Sequence, residues 1–273
     1  MTTFHVRHDF HPSVAREALL LLRTAPLTSE QDFLALARSH DFDIGRRQSS
    51  AKVFASLRDL GLLDRPSRHA PLRLTSLGQQ LAEIALRDEL LWVELIHLRY
   101  WWLWTPETGG EGFAWAYQAV TSLLWEEAPT TIDVDRLVAM VIAGAEKQFG
   151  VKGASFSASS VLGIMHWLRA LSPTCCHGSE FHHRSSCSPE ALLLTLEAIA
   201  TLRNIATGAP LRLDEPTRQR ACRALLIDGD TFDDMVMILH ELGYLIRRTG
   251  DGGDTVLLRT VPVVGLAPQR MAL

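Results

Sequence analysis

The sequence predicts a mainly α-helical protein with two winged-helix modules, each carrying a short β-hairpin wing, flanking a helical middle region. Phe54 to Thr75 reads as the end of a helix, a glycine, a strand, a polar tip and a returning strand. The same order recurs from Ile238 to Thr260, with Leu-x-x-Leu-Gly-apolar-Leu common to both copies. Between them, apolar and aromatic residues fall at helical spacing. The expected organisation is an N-terminal winged helix with a polar arm over 1–80, a helical region over 81–188, and a C-terminal winged-helix-like module over 189–273.

The arm holds His5, Arg7, His8, Asp9 and His11 just before Pro12-Ser13 opens the first helix. Imidazole and carboxylate groups at this density are candidates for proton transfer or metal-assisted chemistry near neutral pH. His8, Asp9 and His11 are therefore the candidate catalytic residues; the competing reading is an ordered arm whose polar groups bond nearby backbone. Thr28 or Ser29 can cap the second helix, with Glu30 and Asp32 in its favourable first turn. A third helix should begin near Arg46 and run to Leu60, burying Val53, Phe54, Leu57 and Leu60 and leaving Ser49, Lys52 and Ser56 outside.

Arg46, Arg47 and Gln48 sit at the end a recognition helix points into a major groove, where Arg and Gln suit guanine and adenine edges. Arg7, Ser49 and Lys52 add phosphate contacts, and Arg65, Arg68 and Arg73 would place charge on the wing. A solvated face of a purely structural module is the alternative. Gly61 suits the left-handed turn that ends the helix, and residues 66–71 supply turn chemistry before Leu72-Arg73-Leu74-Thr75 returns.

Leu81 to Trp104 reads as long helix, broken near Arg87-Asp88. Its tryptophans, with Trp115, Tyr117 and Trp125 beyond, are expected in the core rather than stacked on bases. Further helices are expected over 132–149, 159–171, 191–203 and 215–226. Cys175, Cys176, His177, His182 and Cys187 share one loop with ligand types suited to zinc. No Cys-x-x-Cys knuckle is present, so we expect free thiols and no structural zinc; no residue is assigned as a metal ligand. In the last module Asp233 and Asp234 occupy the helix end where the first module has arginines, so a dimer contact or protein docking is expected there.

Net charge is −4, unevenly spread: residues 1–80 carry 11 lysines and arginines against 8 acids, and the remainder 16 against 23. Any phosphate contact thus falls to the N-terminal module. No uncharged apolar run reaches the ~18 to 20 residues of a membrane span, and the opening lacks a signal peptide. A cytoplasmic location without membrane partners is expected, with the four cysteines reduced.

Arg7-His8-Asp9-Phe10, Leu74-Thr75-x-x-Gly78, the Leu91-Trp92 to Ile96-His97 helix and Cys187-Ser-Pro-Glu-Ala together resemble a winged-helix family of bacteria found with DNA phosphorothioate modification genes. Asp9 stands where the family has Glu, and the Asn that follows its aromatic block is absent. The resemblance implies an anti-phage defence setting and the role of the B component of single-strand DNA phosphorothioation, a presumed nickase, with duplex DNA and the proteins of a sulfur-modification complex as partners. Nicking would call for Mg or Mn and for charge stabilisation at phosphorus. Three classes of function stay open: a nicking or modification component, a winged-helix transcription regulator, and a non-enzymatic adaptor, with a homodimer through the C-terminal module as a further partner.

Overall fold

The structure, a computed structural model, describes residues 4–25, 29–42, 47–64, 71–206, 208–250 and 253–259, with the backbone alone at 47–49. The described residues are mainly helical, with eleven helices and small antiparallel sheets. Three helices come first: α1 (Pro12–Thr24), α2 (Glu30–Ser39) and α3 (Arg47–Asp59). Ser29 caps α2, its hydroxyl accepting the Asp32 amide at 3.1 Å. Gly61 follows α3 at φ +73°, a conformation that costs glycine nothing. Two extended segments then pair antiparallel. Leu63 faces Leu74, the Asp64 amide donates to the Arg73 carbonyl at 2.8 Å, and the Thr75 amide donates to the Leu62 carbonyl at 3.0 Å. The tip expected at 66–71 lies outside the described residues except Pro71.

One knot joins α3, this pairing and α4 (Ser76–Arg87). The Thr75 hydroxyl donates to the Gly61 carbonyl at 2.7 Å and accepts the Gly78 amide at 3.0 Å. A Cβ on Gly78 would lie 2.0 Å from the Leu62 carbonyl oxygen, so the start of α4 can approach the first extended segment only through glycine.

The expected break near Asp88 is present. Its carboxylate accepts the Leu91 amide at 2.9 Å and opens α5 (Glu89–Trp102). Helix α5 is buried almost all round, the pattern of a central rather than a surface helix, and it packs on α4, α6, α8 and α9. Trp92, Trp101, Trp102, Trp115 and Tyr117 are all in the core, as expected. A two-residue hairpin, β1 (Trp104–Thr105) with β2 (Gly109–Gly110), leads to α6 (Gly112–Glu127). Next come β3 (Thr130–Thr131), α7 (Val134–Phe149) and α8 (Ala158–Ala170). The cysteine segment forms β4 (Cys176–His177) and β5 (Glu180–Phe181), with β5 at the centre of a sheet ordered β3-β5-β4.

The last part runs α9 (Pro189–Leu202), β6 (Leu211–Arg212), α10 (Glu215–Leu225), α11 (Gly229–Glu241), β7 (Leu245–Arg248) and β8 (Thr255–Leu258). Its sheet is ordered β6-β8-β7, all antiparallel. Ser188 caps α9 through the Ala191 amide at 3.1 Å, and Gly243 ends α11 at φ +80° as Gly61 ends α3. Gly253 has φ +93°; its neighbour Gly252 lies outside the described residues. A buried ion pair ties the loop after α8 to the centre. The Arg184 guanidinium donates to Glu94 at 2.6 Å and to the carbonyls of Ser172, Pro173 and Leu225 at 2.8, 3.1 and 3.2 Å. Among the described residues nearly all buried apolar side chains join one cluster from Phe4 to Val256, and no helix is long and apolar enough to cross a membrane.

Candidate nucleic-acid interface

The arm is seated by residues far along the chain. Phe4 rests on Trp115 and Phe149, with ring centroids 5.6 and 5.3 Å away. Phe10 packs on Trp167, whose indole N–H donates to the Phe10 carbonyl at 3.0 Å. Between these anchors the backbone of Arg7 and His8 crosses α8 at Gly163, where a Cβ would lie 3.1 Å from the His8 Cα and 3.2 Å from the Arg7 carbonyl. The His5 ring sits between the hydroxyls of Ser155 and Ser160, 3.1 Å from each.

From this seat the arm reaches α3. Arg7 pairs with Asp59 and donates to the Ser56 hydroxyl at 3.4 Å. The helical pattern places Ser56 outside with Ser49 and Lys52, but it is 3% exposed, because the arm covers that turn of α3. Lys52 is exposed as expected, and its ammonium donates to Asp9 at 2.6 Å. The other Asp9 oxygen lies 3.3 Å from His8 Nε2. The Lys52 hydrogen bond, with His8 beside it, holds the Asp9 carboxyl below the usual carboxylate range despite partial burial.

His8, Asp9 and Lys52 therefore form one group, whereas His11 turns away to α8. Its Nδ1 is 3.2 Å from the Ser13 hydroxyl and its ring lies 5.7 Å from that of His166. A hard divalent cation needs several open oxygen ligands. The arm supplies one carboxylate, one oxygen of which already accepts from Lys52 while the other lies 3.3 Å from His8 Nε2, and no three His, Cys, Asp or Glu among the described residues gather where an ion could be held. As arranged, the arm residues do not fit a Mg or Mn site. The cavity between the arm and α3, lined by His5, Arg7, Ser56, Asp59 and Tyr100, measures about 10 Å³, room for one water rather than a nucleotide.

Of the other candidate contacts, Arg47, Gln48 and Ser49 occupy the first turn of α3, and Arg73 is exposed on the returning segment beyond it. Arg46, Arg65 and Arg68 lie outside the described residues. In the last part of the chain Asp233 pairs with Arg218 of α10, so of the two expected repulsive carboxylates only Asp234 stands exposed. The helix of Asp233, α11, leaves Met237 and Ile238 partly bare, with Leu242 and Tyr244 just beyond its end.

The cysteine loop divides rather than converges. Cys175 and Cys176 are 3.9 Å apart, and Cys175 is turned toward the Leu168 carbonyl. Cys187 is buried near Glu94 and Cys222, and burial pushes its thiol well up. Arg184, within the same loop, is buried and pairs with Glu94. Sequence reasoning missed this arginine, its partner Glu94, and also Gly163 and His166. A histidine-tryptophan pair on an apolar helix, His166-Trp167, was the available signal that α8 meets something polar.

No protein family matches the chain, and no curated protein does. A solved structure of magnesium ion-bound SspB aligns with 93% of this chain and 83% of its own, with a TM-score of 0.60 at 12% identity. The fold is similar to that of SspB. At that identity the likeness speaks to the order and packing of the elements alone.

Proposed function

We propose that this chain is a DNA-binding component of a bacterial phosphorothioate modification system. In this reading α1 to α3 with the Leu63–Leu74 pairing, and α9 to β8, are two winged helices flanking the helical middle, with the first holding duplex DNA. The observation that carries it is the extent of the likeness to SspB, a phosphorothioation-system protein, across 93% of the chain. The sequence resemblance to a phosphorothioation family points the same way. Exposed Lys52, the first turn of α3 with Arg47, and exposed Arg73 supply the phosphate-facing side. The modules at 1–80, 81–188 and 189–273 follow as proposed units, the last making the protein contacts of the complex through the bare face of α11.

Replacing Arg46 and Arg47 by Ala should weaken binding to a labelled duplex and flatten the dependence of log K on log salt, by about 0.9 for each phosphate no longer neutralised. An unchanged slope would move the DNA surface elsewhere. Strand nicking is a separate step within this reading. It is tested by incubating supercoiled plasmid with the protein in Mg or Mn; no relaxed form would leave a binding component without nuclease activity.

A further inference from the structure

We infer that the phosphate-facing surface continues from the arm onto α8, where Arg169, with His166 beside it, takes a second stretch of the DNA backbone. This rests on the DNA-binding reading above and adds two residues from a different part of the chain.

The seat of the arm on α8 makes the two surfaces continuous. Gly163 lets the Arg7-His8 backbone lie directly on α8, and Trp167 holds Phe10 one turn later. His166 and Arg169 are three apart and share one helical face, and both are exposed. The His11 ring meets that of His166 across the junction. The row thus runs from exposed Lys52 on α3 through half-buried Asp9, exposed His8 and half-buried His11 to exposed His166 and Arg169.

Charge then distinguishes the two ends of the row. Arg7 is compensated by Asp59 and Lys52 by Asp9, so each must give up an internal partner to meet a phosphate. Arg169 makes no ion pair among the described residues, although it lies in the acidic part of the chain. His166 is held below its ordinary range by burial first and then by neighbouring His11, Arg169 and His8. The carboxylate in the row, Asp9, already faces Lys52 and His8, so it does not serve as the anion for Arg169. A phosphodiester supplies that anion at no cost in broken pairs.

The test is fluorescence anisotropy of the full chain with a labelled 30-base-pair duplex of arbitrary sequence, titrated across a range of salt. Arg169→Ala should reduce the slope of log K against log salt by about 0.9 and weaken binding several-fold, while Arg169→Lys keeps the slope. The side chain is exposed, so thermal unfolding should match the wild type. A slope that falls in Arg47→Ala but not in Arg169→Ala overturns the extension and leaves the DNA-binding reading intact. Equal weakening in Arg169→Lys and Arg169→Ala also overturns it, because a phosphate contact of this kind needs charge rather than shape. A wild-type chain that binds no duplex defeats both.

Discussion

Asp9 is the residue on which binding and chemistry can be told apart. Its carboxylate neutralises Lys52 at 2.6 Å, so in the free protein it competes with any phosphate for that ammonium. Opposite charges at such a distance interact by roughly 4 kcal/mol or more at an effective dielectric near 20, though both side chains meet solvent and the net value is far smaller. Asp9→Asn should release Lys52 to DNA, tighten duplex binding a few-fold and steepen the salt slope by about 0.9. Weaker binding in that variant, with its unfolding curve unchanged, would show that Asp9 supports the interface rather than screening it. If the plasmid assay shows nicking, its disappearance in the same tighter-binding variant would assign Asp9 a chemical role.

At the scale of elements, the motif Leu74-Thr75-x-x-Gly78 has a mechanical explanation. Thr75 bonds both Gly61 and Gly78, and Gly78 lets α4 start against the Leu62 carbonyl. Gly78→Ala would drive its Cβ into backbone oxygen and must part α4 from the paired segments, costing about 1–3 kcal/mol or more. The midpoint of urea unfolding measures it, and a variant as stable as the wild type would refute the clash. Most of the helices, their breaks at Asp88 and Gly61 and the core aromatics could be read in the sequence, because each is set by neighbours within a few residues; α6 is the helix that reading leaves out. Ser56 could not. Its helix shows a periodic apolar stripe on the other side, and only the arm, about fifty residues away, decides that the serine is covered. His11 and Asp9 looked like one cluster for the same reason: nearness along the chain concealed that one faces α8 and the other α3. The cysteine loop has the right ligand types, but it also carries a buried arginine whose partner, Glu94, lies ninety residues earlier, a pairing no local pattern announces.

At the scale of the whole molecule, stability converges on His97, where α5, α6 and α10 meet. Its Nε2 lies 2.8 Å from the Ala224 carbonyl, which can only accept, so Nε2 carries the proton and Nδ1 accepts from the Tyr117 hydroxyl at 2.8 Å. Burial, with Arg184 nearby, lowers its pKa to about 3. The unfolded chain takes up a proton near the ordinary 6.5 while the folded one does not, so stability is full above that pH and falls as pH drops from there toward 3. The slope from this group is at most about 1.4 kcal/mol per pH unit. Urea unfolding at pH 7, 6 and 5 should show a steeper decline in the wild type than in His97→Gln. Parallel declines would mean the imidazole is protonated in the folded protein.

The seat of the arm has a consequence for how the protein is made. Phe4, His5 and Phe10 are made well before the residues they dock on, Trp115, Phe149, Ser155, Ser160 and Trp167. At about 5–20 residues per second, a nascent chain must wait roughly ten to thirty seconds between making the arm and making the surface that receives it. Once α3 has been made, and until that surface follows, the arm has no seat to fix Asp9 beside Lys52. A chain cut short on the ribosome would carry the helix proposed to meet DNA with Asp9 no longer fixed beside Lys52, and so would bind polyanions with less restraint than the finished molecule.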